Sequence, residues 1–220
     1  MSFHSVYTTL FDHYGPQAWW PGDTPFEVMI GAVLTQNTAW SNVEKAITNL
    51  KGAAALDAQT IATMEPATLA GLIRPAGYFN IKAKRLQNVC RWLLQQGGEA
   101  SLQQRDDATL RHGLLSVNGV GPETADDMLL YAFDRPIFVI DAYTRRIFTR
   151  LGLIDGDETY EQLRHLFEEQ LGKYHKERGQ RTQIFNEYHS LIVIHAKAAC
   201  RTKPLCDSCC LRRSCAAVAV

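Results

Sequence analysis

The stretch VNGVGPETADDMLLYAF, Val117–Phe133, continued by DRPIFVIDAYTRR, Asp134–Arg146, decides how this chain folds. Leu114-Leu115 close one apolar-periodic segment and Pro122 opens another, with Asn118, Gly119, Val120 and Gly121 between them. Proline suits a first helical turn, where its missing N–H has no partner, and glycine accepts the left-handed backbone of a tight turn. The reading is two helices joined by a hairpin, a place where successive amides at a helix start can hold a phosphate. Thr124 lies in the first turn after Pro122, beside Glu123, the position at which a lysine nucleophile would be sought.

Twenty residues beyond Gly121, Asp141 ends the apolar run Ile137–Ile140. It is placed to N-cap a helix beginning at Ala142, with Thr144 at the third position. A carboxylate held at a helix start stays ionised, so the cap also suits stabilising positive charge or orienting a water.

Helix signals dominate the rest. Thr24-Pro25-Phe26-Glu27 supplies a cap, a first-turn proline and a capping-box glutamate, and Ser41 to Glu44 repeats the box, leaving Thr35–Trp40 as a short polar loop. Periodicity predicts further helices over Pro66–Ile73, Asn80–Gln96, Asp107–Leu115, Pro122–Phe133, Ala142–Leu151, Tyr160–Leu171 and Arg181–Ala199, with Gly77, Gly97-Gly98, Gly113 and Gly152 at their ends. Ile137–Ile140 reads equally as a four-residue strand or a buried extended segment. The fold class is all-α.

With 220 residues, 46% of them apolar, the chain can form one globule or two interleaved lobes, and it has no apolar run long enough to span a bilayer. No secretory signal is visible in MSFHSVYTTLFDHYG, so a cytoplasmic address is expected. Net charge is zero, which argues against a generic nucleic-acid coat. Local basic groups remain, at Arg145, Arg146 and Arg150 and from Lys197 to Arg213, as phosphate contacts or as plain solvated faces. Cys200, Cys206, Cys209 and Cys215 form a C-x5-C-x2-C-x5-C spacing with Cys210 as a spare, which points to zinc or an iron–sulfur cluster and leaves the choice open. Cys90 reads as core. Trp19-Trp20 and Trp40 read by themselves as packing aromatics, and Gln36-Asn37 as turn residues.

Taken together, LTQNT at Leu34–Thr38, the Gly77-Tyr78 and Lys82-Ala83-Lys84 segment, VNGVGPETA, VIDAYTRR and the final cysteines resemble the helix-hairpin-helix DNA glycosylases of the endonuclease III superfamily. The resemblance covers nearly the whole chain. It implies two helical lobes with a DNA-binding cleft between them, one over residues 21–135 and the other over 1–20 plus 136–220. It implies a monomer acting on double-stranded DNA that contains a damaged base, and a nucleoid-associated location. Such proteins bend the duplex and flip the target nucleotide. By that resemblance Asp141 is the catalytic aspartate, Gln36 fills the gap left by the base, Asn37 flanks it, and Asn118, Gly119, Val120, Gly121, Thr124 and Arg145 face DNA. The cysteines would carry a [4Fe–4S] cluster, with zinc as the alternative, and hairpin carbonyls would hold a monovalent cation.

Glu123 stands where the bifunctional members carry lysine, and a carboxylate forms no Schiff base. No lysine lies between Lys84 and Lys173. Base hydrolysis without strand cleavage is therefore expected. Ala18-Trp19-Trp20-Pro21, Trp40 and GPETAD are similar to the 3-methyladenine DNA glycosylase III branch. Trp19, Trp20, Trp40 and Glu123 become the base-pocket candidates, although the best-known form of that branch lacks the cysteine loop. Three alternatives stand beside this reading: a uracil or thymine mismatch glycosylase, a bifunctional glycosylase/lyase, and a non-catalytic redox-sensing DNA binder.

Overall fold

The computed structural model describes residues 1–19 and 22–218, and among them the regular structure is entirely helical. The chain divides into two compact units, Met1–Trp19 with Pro136–Val220, and Trp20–Arg135. No helix among the described residues is long and apolar enough to cross a membrane.

The first unit begins with α1 (Phe3–Tyr14), which periodicity alone did not reveal. Its start is a reciprocal box built from two serines: Ser2 Oγ accepts from Ser5 N–H at 3.1 Å and Ser5 Oγ from Ser2 N–H at 2.8 Å. Val6 and Leu10 bury one face.

The second unit follows. Thr24 caps α2 (Pro25–Thr35), whose residues Phe26–Leu34 are almost all buried, making it the central helix of this unit. Glu27 does not close the expected box; its carboxylate instead pairs with Lys51 at 2.8 Å. The second expected box is also absent, because α3 (Trp40–Gly52) starts one residue before Ser41 with Ala39 as an uncapped N-cap. Short helices α4 (Ala58–Thr63) and α5 (Pro66–Leu72) are capped by Asp57 and Glu65. Then come α6 (Phe79–Gln95), α7 (Gly98–Gln103) and α8 (Asp107–Leu115). Gly113 does not end α8: it lies inside it, where a Cβ would approach Trp92 Cζ2 to 3.0 Å, so its smallness serves packing. After the hairpin, α9 (Pro122–Asp127) widens into a π turn over Met128–Ala132 instead of running on as one α-helix.

The chain returns to the first unit through Ile137–Ile140, which is extended and buried without strand pairing among the described residues. Two of its amides find side-chain partners: Phe138 N–H donates to Glu168 Oε1 at 3.0 Å and Ile140 N–H to the Tyr160 hydroxyl at 3.4 Å. Phe138 stacks on Phe167 at 4.6 Å, and Phe3 and Phe148 meet the same ring at 4.8 and 4.6 Å. This aromatic core fixes the segment that delivers Asp141 to α10 (Ala142–Leu151). The unit is completed by α11 (Tyr160–Gly172) and α12 (Arg178–Ala198).

Candidate active site

The hairpin is built as a rigid corner of the second unit. Val120 N–H closes the turn on Val117 O at 3.0 Å, and Gly119 takes φ +99°. A side chain there would be strained, and its Cβ would collide with the stem of Arg85. Beneath the turn, Arg111 on α8 grips Asp126 on α9 through two bonds of 2.7 and 3.1 Å, with Asp126 fully buried. Asn88 Nδ2 donates to Asn118 O at 3.1 Å.

Gln36 is tied to this corner. Its Nε2 donates to Gly119 O at 3.0 Å and to Thr124 Oγ1 at 2.8 Å, while its Oε1 accepts from Arg85 Nη1 at 2.5 Å. Behind it, the buried Lys82 ammonium donates to Leu34 O at 2.8 Å, Ala76 O at 2.8 Å and Thr38 Oγ1 at 2.6 Å. Lys82 thus caps the end of α2 and pins the loop that presents Gln36. Burial, helped by the Arg85 charge, brings its pKa down to about 8. Asn37, exposed at φ +53°, forms the tip of that loop.

In the first unit, Asp141 caps α10 as its sequence predicts. Oδ1 accepts both Thr144 N–H at 2.7 Å and Thr144 Oγ1–H at 2.8 Å. Oδ2 faces His189 Nε2 on α12 at 3.7 Å. Burial pushes this carboxyl's pKa up, but His189 and the Thr144 donors outweigh it and hold it below the ordinary carboxylate value. The Trp19 indole lies nearly parallel to the His189 ring, with centroids 6.3 Å apart and planes at 16°. His189 connects two residues that sequence reasoning had picked separately. Nothing local marks it, because it stands forty-eight positions after Asp141 inside an ordinary helix.

The cysteine loop packs in the same unit. Cys200, Cys206, Cys209 and Cys215 line one cavity of about 60 Å³ with Arg150, Ala199 and Pro204; Cys210 is not part of that lining. Among the described residues, no three of the four sulfurs lie within 4.8 Å of one another. The basic group after Asp141 turns out to be an anchor for this loop. Arg146 Nε donates to Cys200 O at 3.0 Å, and Arg150 donates to Cys200 Sγ at 3.3 Å, Arg201 O at 2.6 Å and Thr202 O at 2.9 Å. Arg145 donates to Glu158 O at 2.8 Å.

The remaining candidates fall as follows. Glu123 is exposed on the first turn of α9, whereas Thr124 is buried against Gln36. Trp40 is half-buried at the start of α3 and packs over Gly31, which has no side chain to obstruct it. Trp20 lies outside the described residues. Lys82 lies in the segment that carried the resemblance and Arg85 just after it, but their bonding was not visible in the spacing.

Comparison with known proteins bears on the family and the fold. The model of a family described as HhH-GPD superfamily base excision DNA repair protein matches residues 30–173. The chain is 47% identical over 215 residues, 96% of its length and 94% of the relative's, to a protein of Methanocaldococcus jannaschii provisionally named a DNA repair glycosylase. It is 29% identical over 195 residues to endonuclease III of Thermotoga maritima, covering 87% of this chain and 82% of that one. Among solved structures, the H. pylori 3-methyladenine DNA glycosylase bound to 1,N6-ethenoadenine superposes with a TM-score of 0.79 at 29% identity, over 90% of this chain and 98% of that one. An endonuclease III–DNA complex shares the fold, with a TM-score of 0.82 at 21% identity over 98% and 94% of the two chains. The chain belongs to the HhH-GPD superfamily of base excision DNA repair proteins.

Proposed function

We propose that this protein is a monofunctional DNA glycosylase that releases a cationic alkylpurine, 3-methyladenine or a related base, from double-stranded DNA. The observation that carries the proposal is Asp141, a half-buried carboxylate held ionised with one oxygen spent on its helix cap and the other facing His189. Glu123, in place of an amine, supports hydrolysis over lyase chemistry. Trp19 beside His189 and the 29% identity to a 3-methyladenine glycosylase support the choice of base.

A 3-methylated adenine carries positive charge, so its glycosidic bond breaks without protonation by the enzyme. The bonding pair leaves with the base, which departs neutral, and the sugar becomes an oxocarbenium ion. Asp141 would stabilise that cation and orient the water that adds to the sugar carbon, whose proton is then lost to solvent. Trp19 is the proposed aromatic wall, a good cation–π contact contributing roughly 0.5–2 kcal/mol. The hairpin Asn118–Gly121 would hold a phosphate and a monovalent cation, and Gln36 would enter the gap left by the flipped base.

Cys200, Cys206, Cys209 and Cys215 would hold a [4Fe–4S] cluster. The four thiols line one cavity, as a single group held by four thiolates requires. When bound, the cluster supplies structure, with every ligand position filled by thiolate. It would secure the basic loop that Arg146 and Arg150 already hold.

The test is a panel of single-lesion duplexes carrying alkylpurine, U·G and T·G, scored for strand breaks before and after alkali. Breaks only after alkali, and only with the alkylpurine, are expected. Uracil release without alkylpurine release overturns the choice of base. A covalent adduct trapped by borohydride overturns the monofunctional assignment.

A further inference from the structure

We propose that His189 is a positioning residue for Asp141, holding its Oδ2 and backing Trp19 so that α12 places carboxylate and indole together. The inference rests on the reading of Asp141 as the working carboxylate. Its geometry is independent of that reading and comes from two anchors on one helix.

The first anchor is Glu187. Its carboxylate accepts Gln17 N–H at 2.6 Å and Ala18 N–H at 3.3 Å, which straps the segment before Trp19 onto α12. Ala18 takes φ +46°, a left-handed turn that a residue with a Cβ adopts only under local constraint. That turn brings the Trp19 indole parallel to the His189 ring. The second anchor is His189 itself, 5% exposed, with Nε2 3.7 Å from Asp141 Oδ2. The other carboxylate oxygen is already committed to Thr144. With Oδ1 bonded to Thr144 and Oδ2 facing the imidazole at 3.7 Å, the carboxylate's orientation is set relative to the ring that backs the indole. Both cap donors of Thr144 go to Oδ1, which leaves Oδ2 to the imidazole.

The test compares His189→Phe, which keeps a flat ring behind Trp19 and removes the donor, with His189→Gln, which restores an N–H. Single-turnover release of methylated purines from methylated duplex DNA should fall roughly tenfold to a hundredfold in His189→Phe, a range typical of partners that orient a working group. Duplex affinity should stay within about twofold of the parent, since the change touches no DNA contact, and His189→Gln should recover most of the rate. Wild-type release by His189→Phe, or equal losses in both variants, overturns the inference. A measurement on the native histidine covers a failure of these variants to fold. Followed by NMR, the His189 imidazole should titrate at lower pH after Asp141→Asn, which removes the facing charge. An unchanged midpoint overturns the proposal. If Asp141→Asn excises normally while that midpoint moves, the reading of Asp141 has failed and the contact has not.

Discussion

Asp106 and Asp141 begin helices with the same four-residue pattern, Asp-x-x-Thr, and make nearly the same cap. Asp106 accepts Thr109 N–H at 2.9 Å and Thr109 Oγ1–H at 2.7 Å; Asp141 accepts the corresponding Thr144 groups at 2.7 and 2.8 Å. Asp57 with Thr60 is a third instance. The caps at Asp57 and Asp106 are exposed, and their carboxyls are lowered by hydrogen bonds from the cap threonines, Asp57 by its backbone bond first and Asp106 by its side-chain bond first. Asp141 sits behind an aromatic core, and burial opposes its charge until His189 and Thr144 restore it. An identical local motif therefore yields a helix start in two places and a candidate reactive group in one. Burial by itself does not make that difference, since Asp126 is more buried and is consumed by Arg111.

The largest expected effect separates cap from chemistry. Asparagine caps a helix about as well as aspartate, so Asp141→Asn should leave thermal stability nearly unchanged at neutral pH while base release falls roughly 100- to 1000-fold. Asp106→Asn, measured in the same assay, should release base at the wild-type rate. Next, Asp126→Ala leaves Arg111 without its partner and should cost about 3–5 kcal/mol in urea denaturation. Asp106→Ala should cost only about 1 kcal/mol.

Two pH effects of the same sign, in different windows, sharpen the contrast. The Asp141 carboxyl is lowered by folding, so its contribution is complete above the unfolded value of about 4 and is lost as pH falls through the lower folded value. The stability difference between wild type and Asp141→Asn should shift against wild type across that acid window. Lys82 gives the same slope in an alkaline window: its pKa falls from 10.5 to about 8 on folding, so the unfolded chain binds the extra proton between those values. Stability should gain from this group as pH rises from about 8 to about 10.5, and Lys82→Met should lack that gain.

How much of this was legible in the sequence depended on distance along the chain. The hairpin and the Asp141 cap depend on residues within a few positions, so Gly119, Pro122 and Thr144 announce them. The helix α1 was missed because its box is made by two serines in place of the serine–glutamate pair that is usually sought. The supposed box at Ser41 failed because α3 starts at Trp40, whose ring packs over Gly31. Long-range bonds carried no local mark. Nothing near Arg150 foretells that it grips Arg201, and nothing near Gln36 that it rests on Gly119 and Thr124. The basic group after Asp141 illustrates the cost: read as a phosphate surface or a solvated face, its Arg146 and Arg150 are spent on loop carbonyls.

The central claim is that the Asp141 carboxylate drives hydrolysis of a cationic base. It is tested most directly by chromatography of bases released from methylated duplex DNA by wild type and by Asp141→Asn at equal DNA occupancy. Wild type should liberate 3-methyladenine and leave alkali-labile sites, while the folded, DNA-bound Asn variant releases almost none. Release by that variant at the wild-type rate would contradict the account.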